Sequence, residues 1–108
     1  MSVRKAITEK SGIFFITITC RGWHHLFSIT DGYSVVYQWF DYLKGKGHFI
    51  LGFVIMPNHF HALIGFRNTG KSINSIVGNG KRFMAYELVR RLEERKEANL
   101  LLELALHV

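Results

Sequence analysis

Two apolar runs, residues 49–56 and 59–66, are separated by only two residues, Pro57 and Asn58. Proline presets its own φ and asparagine tolerates tight backbone angles, so the pair is turn chemistry. Two extended runs joined so closely fold back on each other as an antiparallel β-hairpin. The first run, Phe-Ile-Leu-Gly-Phe-Val-Ile-Met, has no polar side chain. Such a strand is predicted to be buried on both faces, in the middle of a sheet. The second run carries His59 and His61 at alternate positions, with Phe60 and Ala62 pointing the other way, into the core.

The rest of the chain builds around that hairpin. Residues 13–20, Ile-Phe-Phe-Ile-Thr-Ile-Thr-Cys, are rich in β-branched and aromatic side chains and read as a strand. Ile16, Ile18 and Cys20 share one face, while Phe15, Thr17 and Thr19 share the other. Residues 21–25 form a loop. Asp31 is placed to cap a helix over residues 32–43, on which Tyr33, Val36, Tyr37, Phe40 and Leu43 recur at helical spacing, broadened by Trp39 and Tyr42. The Lys-Gly-Lys-Gly run at 44–47 ends it. Ser72 can cap a second helix whose apolar positions are Ile73, Ile76, Val77, Phe83, Tyr86, Leu88 and Leu92. Gly78 and Gly80 weaken that helix by about 1 kcal/mol each relative to alanine, and mark either a close contact, a kink or a later helix start. Residues 100–108 are strongly apolar. The order strand, helix, strand, strand, helix predicts an α+β fold, a ferredoxin-like antiparallel sheet with helices packed on one face.

Composition bounds the possibilities. The chain has 108 residues, the length of one domain. Its single cysteine excludes an internal disulfide and a cysteine-rich zinc module. The free thiol, a start without an apolar h-region and the lack of any membrane-length apolar run point to the cytoplasm, with no membrane partner. Lysine and arginine number 14 against 8 acidic residues, a net charge of +6. That excess favours an acidic partner, most often nucleic acid. Eight of the basic residues fall between Arg67 and Lys96, where Glu87, Glu93 and Glu94 equally suit a solvated helix face.

His59 and His61 are the constellation that can carry chemistry. On a strand their Cβ atoms stand roughly 6.5–7 Å apart on one face, close enough for both rings to converge on one ion. With added oxygen ligands the pair would suit a hard divalent cation such as Mg²⁺ or Mn²⁺. The alternative is a polar strand face with no ligand.

The stretch from Gly52 to Ile64, with Met56-Pro57-Asn58-His59-Phe60-His61 at its centre, resembles the signature of the single-tyrosine HUH transposases. These are the transposases of the IS-two-hundred type and the REP-associated tyrosine transposases. Residues 14–21 resemble the family's opening strand, and Phe27 stands at its usual aromatic position. Ser72 to Val77 and Lys81-Arg82-Phe83 resemble the helix after the hairpin, so the similarity runs over residues 13–92. The resemblance implies binding of single-stranded DNA, often a hairpin, by a homodimer. It implies a divalent ion, magnesium or manganese, held by His59 and His61, and cleavage and rejoining through a 5′-phosphotyrosine. Arg21, Lys81 and Arg82 are then candidates for phosphate contact and Trp23 for base stacking.

The nucleophile is where the chain departs from the family. The family's tyrosine lies on a later helix, and this chain ends at Val108, so a domain truncated at its C-terminal end is predicted. Tyr86 follows the motif on a helix and is the remaining candidate, its other reading being packing. Two histidines also leave an ion short of ligands. Asn58 is a conceivable outer oxygen, although holding the turn is its simpler task. Two other readings stand beside the transposase: a DNA-binding module without a nucleophile, and a small ferredoxin-like interaction protein without a site.

Overall fold

The computed structural model describes residues 9–20 and 24–96. Arg21, Trp23 and the apolar segment 100–108 lie outside them. Among the described residues three strands and three helices follow in the order β1 (Gly12–Thr19), α1 (Leu26–Ile29), α2 (Tyr33–Gly45), β2 (Phe49–Met56), β3 (His59–Phe66) and α3 (Ile73–Glu94). The strands form one sheet in the order β1-β3-β2, with both pairings antiparallel. The fold is α+β, and the helices pack on one face of the sheet.

The hairpin forms as predicted, but the central strand is β3 and not the uniformly apolar β2. Chain reversal at Pro57-Asn58 gives β3 one neighbour, β2. The return of the chain through α2 leaves β1 to occupy its other side, which places β2 at an edge among the described strands. Phe53 and Ile55 stand opposite Ala62 and Phe60 on the core side, whereas Val54 and Met56 stand opposite His61 and His59 on the outer side, exposed. The unbroken apolar run therefore marks an open sheet face rather than burial on both sides. Between Ile50 and Gly52 the register shifts, and Leu51 is left exposed.

One core lies between the sheet and the helices. Ile16, Ile18 and Cys20 of β1 and Phe60, Ala62, Ile64 and Phe66 of β3 supply its sheet side. From α2 come Val35, Val36, Trp39, Phe40 and Leu43. The tyrosines predicted to share that face do not: Tyr37 and Tyr42 are exposed, and Tyr37 meets Phe53 only edge-on at 5.6 Å. Asp31 does not cap α2. It adopts a left-handed conformation, φ 53°, and Gly32 takes the capping position with no side-chain hydrogen bond. The Gly32 N–H donates to the Phe27 carbonyl at 2.7 Å, and the Asp31 carbonyl accepts from Arg91 Nη1 at 2.8 Å. Asp31 is thus the corner between α1 and α2, a conformation that aspartate tolerates better than most side chains. The other end of α2 stops as expected, with Gly47 at φ 93°.

Ser72 caps α3, its hydroxyl accepting from the Ser75 N–H at 3.2 Å. The helix runs unbroken through Gly78 and Gly80, which have different reasons to be there. A Cβ on Gly80 would overlap the Trp39 indole, with Cζ2 at 2.7 Å, so α2 and α3 approach through this glycine. A Cβ on Gly78 would meet nothing within 4 Å. The buried stripe of α3 takes Met84, one residue beyond the predicted Phe83, and leaves Phe83 exposed. Among the described residues no helix is long and apolar enough to cross a membrane.

Candidate functional site

The antiparallel register stacks four outer-face rows across the sheet. Thr19, His59 and Met56 form one; Thr17, His61 and Val54 the next; then Phe15, Leu63 and Gly52; then Ile13, Gly65 and Phe49. Strand pleating sends these side chains away from the helices. The face is polar at the turn end and apolar at the other.

His59 and His61 stand together in the polar half, with ring centroids 4.9 Å apart and rings at 79°. Each ring is held at Nδ1. Asn58 Oδ1 lies 2.7 Å from His59 Nδ1. An amide oxygen only accepts, so Nδ1 carries the proton and Nε2 of the neutral ring carries the lone pair. Asn58 thereby does two things, since its backbone carbonyl also accepts from the Cys20 N–H at 2.8 Å and ties the turn to the end of β1. The Thr17 hydroxyl lies 2.8 Å from His61 Nδ1 and, able to donate or to accept, orients the ring by a hydrogen bond. An orienting partner on the second ring nitrogen is the usual support of a ligating histidine. Phe15 stacks on the His61 ring, with centroids 5.4 Å apart and planes 17° apart.

Imidazole is a common metal ligand, and two rings with centroids 4.9 Å apart would supply at most two positions of an ion's shell. Among the described residues no group of three or more His, Cys, Asp or Glu side chains comes together as a metal cage. An ion here would complete its shell with water or substrate oxygens, which suits Mg²⁺ or Mn²⁺.

The other sequence candidates lie elsewhere. Arg21 and Trp23 fall outside the described residues. Lys81, Arg82 and Tyr86 are on α3, in the layer on the far side of the sheet from the histidines. Lys81 is half-buried, and that burial lowers the pKa of its ammonium group. Arg82 bonds Asn79 one turn before it. Tyr86 is not packing: it is 74% exposed. Tyr33, Tyr37 and Tyr42 are all on α2, so no tyrosine shares the histidine face within one chain.

Much of the basic cluster has structural work. Arg90 pairs with Glu87 at 2.8 Å and Glu94 at 3.0 Å, and the bond from Arg90 holds the Glu87 carboxyl below its usual range. Arg91 donates to the Asp31 carbonyl and to Ser34 Oγ, and Arg95 donates to the Thr30 carbonyl. These bonds clamp the end of α3 to the turn before α2.

Three residues of the face had no individual role in the sequence reading: Thr17, Phe15 and Arg67. The alternation in residues 13–20 already put Phe15 and Thr17 on one face, but only the pairing register sets them against His61. Arg67 places its guanidinium 4.8 Å over the Phe49 ring at the apolar end. Comparison with protein-family models, with curated proteins and with solved structures returned no match.

Proposed function

We propose that this chain binds single-stranded DNA, including hairpin ends, and presents a backbone phosphate to a divalent ion at His59 and His61, as the HUH transposase resemblance implies. The observation that carries the reading is the histidine pair itself. Its two rings stand 4.9 Å apart, edge to face, on the outer face of the sheet, and each is held at Nδ1 by a neighbouring oxygen. A pair that was merely surface polarity would need neither restraint. Magnesium or manganese bound there would stabilise negative charge on a phosphoryl oxygen. The chain's own residues, Asn58 and Thr17, orient the two ligands. The charge of +6 supports a polyanionic partner. A DNA-acting protein with a reduced thiol belongs in the cytoplasm.

Strand cleavage and rejoining also need a nucleophile, and all four tyrosines stand on the helix layer. In a homodimer the exposed Tyr86 of one copy can serve the histidines of the other. The second reading, a DNA-binding module that does not cleave, is favoured by the same tyrosine placement. Both predict binding, and only the first predicts a covalent adduct.

The test is titration of a fluorescent hairpin with single-stranded flanks in Mn²⁺, by anisotropy at two salt concentrations. Binding is expected, weakening steeply as salt rises. Absence of binding at low salt would remove the reading. A denaturing gel of the same mixture separates the two versions, with Tyr86→Phe as the control for any adduct.

A further inference from the structure

We infer that the outer face of the sheet is a stacking platform for a single strand, with Phe15 receiving the base beside the phosphate held at the histidines. This rests on the DNA-binding reading above and adds a residue and a path to it. Phe15 is 66% exposed, a large apolar ring on a strand with room to avoid water. One side of the ring lies against His61, nearly parallel. His61 is in turn fixed by Thr17. The ring is therefore oriented from behind and open in front, which is the geometry a planar partner needs.

The surroundings extend the platform. Ile13 and Phe49 flank Gly65 on the outer face, 3.9 Å and 3.6 Å from where its Cβ would stand, at ordinary contact distance. Phe49 carries the Arg67 guanidinium over its own ring. A strand crossing this face meets histidines, then Phe15, then Phe49 with a planar cation. That sequence alternates groups for phosphate and groups for bases, as in single-strand binding grooves.

Charge decides between occupants. The three strands contain no aspartate or glutamate, and Arg67, which stacks at the face, is positive. A second copy would bring a further +6. A single-stranded nucleic acid brings flat apolar bases together with negative charge, so it complements both halves of the surface.

The experiment uses the full chain and a labelled oligothymidylate carrying one 2-aminopurine. Phe15→Leu, which keeps an apolar exposed side chain, is expected to weaken single-strand binding by about tenfold and to abolish 2-aminopurine quenching. Phe15→Trp is expected to restore both, and binding to duplex DNA should be the same in all three proteins. If Phe15→Leu binds and quenches as the wild type does, the platform is wrong while DNA binding stands. If the wild type binds no single strand, the DNA reading fails and this inference with it. A wild-type dimer in solution that Phe15→Leu converts to monomer would overturn the platform in favour of self-association through this face.

Discussion

The Thr17 hydroxyl and His61 Nδ1 lie 2.8 Å apart although 44 positions separate them in sequence. Antiparallel pairing of β1 with β3 sets the two residues directly opposite on the outer face. Thr17→Val keeps the shape of the side chain and removes the oxygen that orients the imidazole. Mn²⁺ affinity, read by calorimetry, is expected to fall at least about tenfold, the usual cost of losing such a partner. Thr17→Ser should retain most of it. Equal affinity in the valine variant would mean that Thr17 does not position the ligand.

Gly78 and Gly80 give opposite forecasts for one chemical change. Alanine at either position raises intrinsic helix propensity by about 0.5–1 kcal/mol. At Gly78 nothing opposes the gain, so Gly78→Ala should stabilise the protein by about that amount. At Gly80 the new methyl group meets the buried Trp39 indole. Forcing α2 and α3 apart costs about 1–3 kcal/mol, so Gly80→Ala should be net destabilising. Urea unfolding of the two variants checks the pair, and a stabilised Gly80→Ala would contradict the close approach.

Cys20 links stability to alkaline pH. Burial pushes its thiol up from the ordinary 9.0 to about 11, against a smaller opposing pull from the Leu26 and Phe27 backbone. Between those values the unfolded chain gives up the thiol proton while the folded chain keeps it. The contribution is therefore complete below about pH 9 and lost as pH rises toward 11. Its size is on the order of 2–3 kcal/mol. The stability difference between wild type and Cys20→Ala should shrink across that window in urea melts. A difference that stays constant with pH would show that the thiol does not titrate as described.

His48 does the converse on the acid side. It is buried, its Nδ1 accepts from the Arg67 N–H at 3.1 Å, and its ring meets Phe66 edge-on at 5.3 Å. Burial lowers its pKa below the ordinary 6.5. The unfolded chain takes up a proton first as pH falls, so this contribution is present above about pH 6.5 and lost through the lower folded value. His48→Phe should cost about 1 kcal/mol at pH 8 by leaving the Arg67 N–H without its acceptor. Its stability should then fall less steeply than wild type as pH drops below 6.5. Parallel pH profiles would exclude His48 as the source of the slope.

The elements were legible wherever local chemistry sets them. The Pro57-Asn58 turn, the alternation about His59 and His61, the Ser72 cap and the Gly47 stop depend on a few adjacent residues, and all four appear in the structure. Asp31 misled because capping and left-handed corners draw on the same short polar side chains. The choice between them lay with Arg91, 60 positions away, which binds the Asp31 carbonyl. The tyrosines of α2 misled because a broad aromatic face can be read with more than one centre. The core admitted Val35 and Val36 and left Tyr37 and Tyr42 outside.

By itself the sequence determined that a hairpin forms, that two histidines share one strand face, and that helices flank the strands, because periodicity and turn chemistry are properties of neighbouring residues. Only the tertiary structure decided which strand is central, what stands opposite His61, and why Gly80 but not Gly78 is required. Strand order, register and helix approach are relations between distant segments. An apolar run such as Phe49–Met56 is equally compatible with burial on both faces and with an edge strand on an open face. What makes it an edge strand is that β3 had a second partner to find, and β1 was there to pair with it.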